Sequence, residues 1–330
     1  MSAAHKTIGI DIGGTKTAVA AVDSSGQILQ RATLPTEAAL GFERAVNRLG
    51  DAIEELLANT GWSCQEIAGI GIGCTGPVDP ARGLINNPHT LAGWDHCDIV
   101  TPLRRRFGVQ VCLENDADAA ALGECLCGAG CGFNPVVMLT FGTGVGGAVV
   151  RDGHACCGVN GEHPELGHIP ISSAGPACYC GASGCLESLA SGTAIGAAGR
   201  AAGFRDAREV FALGRAGNPA AVTIVERATA AAATAAWTLC HTFLPERIIL
   251  GGGIMEDQFE LFAQVMNARL RTATQFSRDA VKITRASLGN TAGLVGAASI
   301  ALRLNRTSGT SSATACGVRS AQLNPVAKSE

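Results

Sequence analysis

One histidine and three cysteines in the middle of the chain have the residue types and the spacing of a metal site. His168 is followed by Cys178, Cys180 and Cys185 within one glycine-containing stretch. Thiolates and imidazole are the ligands that zinc prefers, and four of them complete a tetrahedral structural site. The chain contains 14 cysteines, so a chance cluster is the alternative, but ligand type and spacing favour zinc.

The second group that could carry out chemistry is a carboxylate that follows a short apolar segment. Residues 109–113 predict a strand and residues 117–127 predict a helix, with Asn115 and Asp116 between them. Ligands bind outside the carboxyl ends of strands in open α/β sheets, which makes Asp116 a candidate catalytic carboxylate. Capping of the helix by Asn115 or Asp116 explains the same residues, and both interpretations stay open at this point.

Two glycine-rich turns are candidates for holding phosphate. Residues 7–23 and residues 138–153 each predict an apolar strand, a glycine turn and a second apolar strand. Backbone N–H groups in such turns can cradle phosphate, although a plain hairpin explains the first segment equally well by itself. Neither segment matches the P-loop or the dinucleotide-binding pattern. The turn residues are Asp11, Gly13, Gly14, Thr15 and Lys16 in the first segment and Gly142, Thr143 and Gly144 in the second.

The elements around these turns predict two related α/β units. The two segments show the same pattern of apolar residues and glycines when Gly13 is aligned with Gly142. Each unit would therefore offer one turn to a shared cleft. A third group of glycines, at 251–253, ends a predicted strand that starts at residue 247. Such glycines would let a nucleotide base approach the backbone, and a tight strand-to-helix turn is an equal alternative.

Length and composition indicate a large enzyme. A chain of 330 residues, 47% of them hydrophobic, predicts two domains or one with a deep cleft. The formal charge of −3 gives no electrostatic reason to expect nucleic acid or an anionic membrane as partner. No secretory signal precedes the first strand, so we expect a cytoplasmic protein. Residues 228–244 predict a buried helix and not a membrane span, and the polar tail at 305–330 predicts disorder.

Taken together, these motifs resemble the ROK family of sugar kinases, within the actin-like and hexokinase-like ATPase superfamily. The resemblance covers about residues 7–303. It rests on several motifs in order: DIGGTKT (11–17), GPVD (76–79), END (114–116), AAALGE (119–124), GTGVGG (142–147), ELGH (165–168), CYCGASGCLE (178–187) and GGG (251–253).

The resemblance implies an α/β fold of two related actin-like, ribonuclease H-like ATPase domains with a cleft between them and a small zinc-binding loop. It places the first domain at residues 1–116, completed by a helix at about 291–304. The second, larger domain would span residues 117–290. A homodimer is the expected assembly.

The resemblance also implies ATP-dependent phosphorylation of a hexose on its primary hydroxyl, with Asp116 as general base. Zinc would be structural, and magnesium would come with ATP near Asp11. The implied sugar-binding residues are Gly76, Asn115, Glu165, His168 and Glu187. The implied zinc ligands are His168, Cys178, Cys180 and Cys185. The implied phosphate and nucleotide contacts are the two glycine turns together with Gly251, Gly252 and Gly253.

Two departures from the family pattern affect the choice of sugar. Many members have Asn where this chain has Asp118, a change expected to affect the helix start and not the base. Many glucose-type members have Ala-Gly-Glu where this chain has His163-Pro164-Glu165, a variant that also occurs in fructokinase-like members. For His163 itself, a packing or loop role is favoured over substrate contact. Glucose is the favoured sugar, with fructose, mannose, N-acetylmannosamine and N-acetylglucosamine as alternatives.

Two other classes of protein are the competing interpretations. Related sugar-responsive repressors carry a helix-turn-helix domain before the first strand, whereas only about six residues precede it here. A DNA-binding regulator is therefore not expected. A non-catalytic sugar sensor is also disfavoured, because Asp116 and both glycine turns are present.

Overall fold

The structure is a computed structural model that describes residues 6–88, 90–159, 161–276 and 280–308. These residues form two five-stranded sheets, one small three-stranded sheet and nine α-helices. The strands are β1 (Lys6–Ile12), β2 (Lys16–Val22), β3 (Ile28–Pro35), β4 (Ile67–Cys74), β5 (Val78–Asp79), β6 (Leu84–Ile85), β7 (Cys97–Asp98), β8 (Val111–Asn115), β9 (Val136–Phe141), β10 (Val145–Arg151), β11 (His154–Ala155), β12 (Arg247–Gly251) and β13 (Lys282–Arg285). The helices are α1 (Phe42–Thr60), α2 (Val100–Phe107), α3 (Asp116–Cys127), α4 (Leu186–Ala190), α5 (Gly192–Ala201), α6 (Ala207–Arg215), α7 (Pro219–Phe243), α8 (Gly253–Leu270) and α9 (Ala292–Ser308).

The two large sheets have the same arrangement of strands. The first has the order β3-β2-β1-β4-β8 and the second the order β11-β10-β9-β12-β13. In each, an antiparallel hairpin (β1 with β2, or β9 with β10) is extended by two parallel strands. The predicted internal repeat and the predicted α/β class are therefore confirmed.

Apolar strand residues place a separate core on the outer face of each sheet. On the first sheet, side chains of β1, β4 and β8 pack against the apolar faces of α1 and α2. On the second, β9 and β12 pack against α7 and α8, where the alanines of α7 allow close contact. Burial of these two large apolar faces is the main favourable contribution to folding. Each sheet is thereby a rigid support for the turns at its strand ends.

Helices α3 and α9 lie on the remaining faces and contact each other. Helix α9 packs on β1 and β4, and α3 packs on β10. The close approach depends on glycine: a Cβ at Gly9 or Gly71 would overlap backbone carbonyls of α9. Where the two helices meet, a Cβ at Gly296 would likewise overlap the Ala119 carbonyl. The start of α3, which contains Asp116, is thus held next to both sheets.

Three predicted boundaries differ from the structure. The strand predicted at 109–113 is β8 (Val111–Asn115), which continues to Asn115 because that residue pairs with Cys74 of β4. Residues 305–308, predicted to begin a disordered tail, instead complete α9; the rest of the predicted tail, residues 309–330, lies outside the described residues. The helix predicted at 228–244 belongs to α7, which is much longer.

None of the helices in the described parts of the chain combines the length and the apolarity that a bilayer crossing requires.

Candidate active site

The junction of β8 and α3 separates the two interpretations of the strand-end residues. Asn115 is 5% exposed and supplies the helix cap, because its Oδ1 accepts hydrogen bonds from the N–H groups of Ala117 (2.8 Å) and Asp118 (3.4 Å). Asp116 is therefore not the capping residue. Its Oδ1 accepts from the Ala117 N–H at 2.8 Å. The amide of Asn115 lies against Gly76, where a Cβ would come within 2.7 Å of Nδ2.

Asp116 lies close enough to Asp11 of β1 for the two carboxyl groups to interact electrostatically. Burial and the charge of Asp116 together raise the pKa of Asp11 to about 6, against the lowering effect of Lys16. Burial is also the main cause that raises the pKa of Asp116, with Glu165 contributing in the same direction. The structure therefore brings together Asp11, Asp116 and Glu165, three carboxylates that the sequence assigned to different roles. Carboxylates such as Asp11 and Asp116, whose pKa values are raised by burial and by neighbouring charge, are typical of functional sites.

The first glycine turn is held by hydrogen bonds from Thr36, the residue that follows β3. The Gly13 N–H donates to the Lys16 carbonyl at 3.0 Å, and the hydroxyl of Thr36 donates to the Gly13 carbonyl at 2.6 Å. The Thr36 N–H also donates to the Thr15 carbonyl at 3.0 Å. Thr36, which carried no motif signal in the sequence, thus fixes the turn that joins β1 to β2.

The second glycine turn is held by the start of α5. The Gly192 N–H donates to the Gly142 carbonyl at 2.7 Å, and the Thr193 hydroxyl donates to the Thr143 carbonyl at 2.8 Å. Both contacts use carbonyl oxygens of the turn. These two contacts therefore fix the turn through its carbonyl oxygens and not through its N–H groups.

The third glycine group forms a tight turn between β12 and α8. Gly252 has φ of +87°, and a Cβ there would overlap the backbone of Phe141 at the end of β9. Glycine is required at this position because the left-handed region and the close contact both exclude a side chain. At Gly253, by contrast, an added Cβ would meet open space. The three glycines therefore lie beside the second glycine turn. Contact between a nucleotide base and Gly253 stays a prediction.

His168, Cys178, Cys180 and Cys185 form a compact ligand cluster. Their ligand atoms all lie within 4.8 Å of one another. His168 Nδ1 is 3.4 Å from Cys178 Sγ, and the sulfurs of Cys180 and Cys185 are 3.6 Å apart. A tetrahedral zinc ion with ordinary bond lengths would separate sulfur from nitrogen by about 3.5 Å and sulfur from sulfur by about 3.8 Å. The geometry and the donor set therefore fit such an ion.

Two contacts of the site were not predicted from the sequence, one made by Tyr179 and one by His163. Tyr179, between two of the cysteines, is largely exposed, and its hydroxyl lies 3.1 Å from Nε2 of His168 and beside Glu187. His163 makes the other contact: its Nδ1 lies 2.8 Å from Oδ2 of Asp118. A tyrosine between cysteines follows no general pattern. The histidine contact joins residues 45 positions apart, which spacing rules do not detect.

The paired sheets, with a glycine turn at the end of each hairpin, define an actin-like ATPase fold. The chain belongs to the ROK family, whose family model matches residues 7–304. It is 34% identical over 312 residues to a glucokinase of Thermotoga maritima, covering 89% of this chain and 96% of that protein. It is 36% identical over 297 residues to an N-acetylmannosamine kinase of Citrobacter koseri, covering 89% and 98%.

Solved structures agree with this membership. The ROK hexokinase of Thermus thermophilus superposes with a TM-score of 0.82 at 36% identity, covering 91% of this chain and 99% of that one. A ROK family glucokinase of Streptomyces griseus, in complex with glucose and AMPPNP, superposes with a TM-score of 0.72 at 30% identity, covering 90% and 99%.

Proposed function

We propose that this protein is an ATP-dependent sugar kinase that transfers the γ-phosphoryl group to the primary hydroxyl of a hexose, with glucose as the favoured substrate. The observation that carries the proposal is the position of Asp116, near Asp11 and Glu165, at the end of β8 in the first sheet, where α3 packs on β10 of the second sheet. Similarity to kinases of glucose and of N-acetylmannosamine supports the reaction class.

Asp116 is the proposed general base. Phosphoryl transfer depends mainly on positioning and on charge stabilisation, and the attacking alcohol must lose its proton as the new bond forms. A carboxylate within hydrogen-bond reach of that hydroxyl can accept the proton. Because Asn115 caps α3, the Asp116 carboxylate is available for this task. In this proposal the neighbouring groups of Gly76, Asn115, Glu165, His168 and Glu187 hold the sugar, since its hydroxyls need paired donors and acceptors.

The nucleotide would occupy the space between the two glycine turns. In the turns at Gly13–Lys16 and Gly142–Gly144, the N–H groups of Gly13 and Gly142 already donate within the turn, so N–H groups of the following residues would bind phosphate oxygens. Gly251–Gly253 would contact the nucleoside. The AMPPNP complex of the Streptomyces griseus relative supports ATP as donor. Magnesium prefers oxygen ligands. The buried carboxylate of Asp11 fits it, and the ion would supply neutralising charge to the phosphates there.

Zinc is the proposed occupant of the cluster formed by His168, Cys178, Cys180 and Cys185, in a structural role. A zinc-bound Nδ1 leaves the proton of His168 on Nε2. That N–H points at the Tyr179 hydroxyl. When a sugar binds, the N–H would donate to a sugar hydroxyl in place of the tyrosine. Fixing of the histidine ring by a metal is a general way to orient such a contact.

The direct test measures ADP release over a panel of sugars. The panel comprises glucose, fructose, mannose, N-acetylmannosamine and N-acetylglucosamine. We expect turnover with at least one of them, and Asp116→Asn should lower kcat by about 100- to 10,000-fold because it removes the proton acceptor. Absence of turnover on every hexose, or full activity of Asp116→Asn, would contradict the proposal.

The panel also decides between glucose and its rivals. An N-acetylmannosamine kinase is the alternative, because a relative of that name is as similar to this chain as the glucokinases are. The sugar with the highest kcat/KM identifies the substrate. Preference for an N-acetylated sugar would exclude glucose as the principal substrate while leaving the role of Asp116 unchanged.

A further inference from the structure

His163 and Asp118 form a partly enclosed pair next to the proposed base. Nδ1 of His163 and Oδ2 of Asp118 are 2.8 Å apart, and the two side chains are 13% and 2% exposed. Asp118 lies in the first turn of α3, two residues beyond Asp116. His163 lies on the segment between β11 and the zinc ligands. The pair therefore connects the helix that carries the base with the segment that carries Glu165.

Burial of Asp118 makes its pairing with His163 necessary. Among the described residues, Oδ1 of Asp118 is buried and has no hydrogen-bond partner. A buried carboxylate with one unpaired oxygen is costly unless an opposite charge lies beside it. A protonated His163 supplies that charge, whereas a neutral ring would leave Asp118 uncompensated. The contact is therefore an ion pair in its stable form.

Four carboxylates interact electrostatically with the imidazole. Asp116 and Asp118 approach it from α3, Glu114 from β8, and Glu165 from its own segment. One positive charge among four carboxylates affects all of them, because opposite charges at short range favour each other's ionised forms.

The surrounding charges determine the proton affinity of the ring. Burial lowers the pKa of His163, but the hydrogen bond to Asp118 and the charges of Asp118, Glu165 and Asp116 outweigh it, so the pKa is raised overall. In return, His163 lowers the pKa of Asp116 against the effect of burial. It acts in the same direction on Glu114, whose pKa burial raises to about 7. The thiol of Cys156, near Asp118, stays protonated because burial raises its pKa.

We propose that His163 is a positioning residue for phosphoryl transfer: Asp118 holds its imidazolium in place, and that positive charge keeps the nearby carboxylate of Asp116 ionised. The inference rests on the proposed function of Asp116 as base. It assigns Asp118 a task beyond the helix start, namely to fix the ring and its proton. His163 acts through Asp116 and contacts neither phosphate nor metal in this role.

The first experiment measures the pH dependence of kcat/KM in His163→Gln. Loss of the positive charge raises the pKa of Asp116, so the acid limb of the profile, which reports the base in the free enzyme, should move to higher pH. A displacement of the acid limb by one pH unit lowers kcat/KM about tenfold on the acid side of the profile. The plateau value of kcat/KM should change less than that. His241→Gln, an exposed histidine near the end of α7, is the matched control and should keep the wild-type profile.

The second experiment observes the ring directly in the resting protein. The pKa of His163 is measured by NMR titration of histidine ring resonances, assigned by comparison with His163→Gln. Asp118→Asn keeps a side-chain oxygen but removes the charge, so the pKa of His163 should fall by about a unit or more, the usual effect of losing a close opposite charge. Thermal unfolding of each variant shows whether it is folded.

The outcomes separate this inference from the proposed function. Normal turnover with an unshifted acid limb in His163→Gln, or an unchanged His163 titration in Asp118→Asn, would overturn the role of His163 and leave Asp116 as base. Absence of any turnover in the wild-type protein would overturn the proposed function and, with it, the role of His163. A shifted acid limb together with a lowered histidine pKa supports the inference.

Discussion

The carboxylate of Glu187 accepts a hydrogen bond from the backbone N–H of Val145 at 2.9 Å. This contact joins α4, the helix that follows the proposed zinc ligands, to the end of the second glycine turn. A Cβ at Gly144 would overlap the same carboxylate, so the glycine of the turn makes room for it. A residue that the sequence assigned to sugar binding is therefore also part of the support for the proposed phosphate site.

Replacement of Glu187 should therefore weaken the second turn as well as the sugar site. Glu187→Ala leaves the Val145 N–H without its acceptor, which costs roughly 1–3 kcal/mol for a buried donor. The free energy of unfolding should fall by that amount and KM for ATP should rise. Glu187→Gln keeps an acceptor oxygen and should retain most of the stability. A rise in KM for sugar alone in Glu187→Ala, with KM for ATP unchanged, would show that the turn does not depend on this contact.

The metal cluster gives a prediction with a readout independent of activity. Cys180→Ser removes one of four ligands, so zinc bound to the purified protein should fall well below one equivalent, and sugar affinity should fall with it because His168 loses its fixed orientation. Cys131→Ser, an exposed cysteine outside the cluster, is the control and should keep its zinc. Unchanged zinc content in Cys180→Ser would reject this ligand assignment.

The sequence predicted the repeated part of the fold because its signals are local. Each hairpin is an alternation of apolar segments and glycine within about 16 residues, and both were placed correctly. The end of β8 was misplaced because Asn115 belongs to the strand only through its pairing with Cys74, a contact between distant segments. The cluster of His168 with three cysteines was predicted because its members lie close together along the chain.

Contacts between distant segments could not be predicted in the same way. Glu187 and Val145 are 42 residues apart, and His163 and Asp118 are 45 apart. Two of the positions where the sequence departs from the family pattern, Asp118 and His163, proved to be the partners of one hydrogen bond. The sequence alone favoured a packing or loop role for His163, because neither residue indicates the other.

The turn at Gly252 should be highly sensitive to substitution. Gly252→Ala places a side chain at φ of +87° and against the backbone of Phe141, so the free energy of unfolding should fall by about 1–3 kcal/mol or more. Gly253→Ala is the matched control, since its Cβ meets open space in the first turn of α8. Denaturant unfolding should show the control unchanged or slightly stabilised. Equal loss in both variants would mean that the contact with Phe141 is not the cause.

The ion pair of His163 with Asp118 should make stability depend on pH in a defined direction. The pKa of His163 is raised in the folded protein, so its stabilising effect is fully present below the unfolded value of about 6.5. The effect is lost as pH rises through the folded pKa. The difference in free energy of unfolding between wild type and His163→Gln should therefore be largest near pH 6 and shrink toward pH 9, by about 1.4 kcal/mol for each unit of the shift. Urea unfolding of both proteins across this range measures it. A difference that stays constant with pH would mean that the contact is a neutral hydrogen bond and that His163 carries no charge beside Asp116.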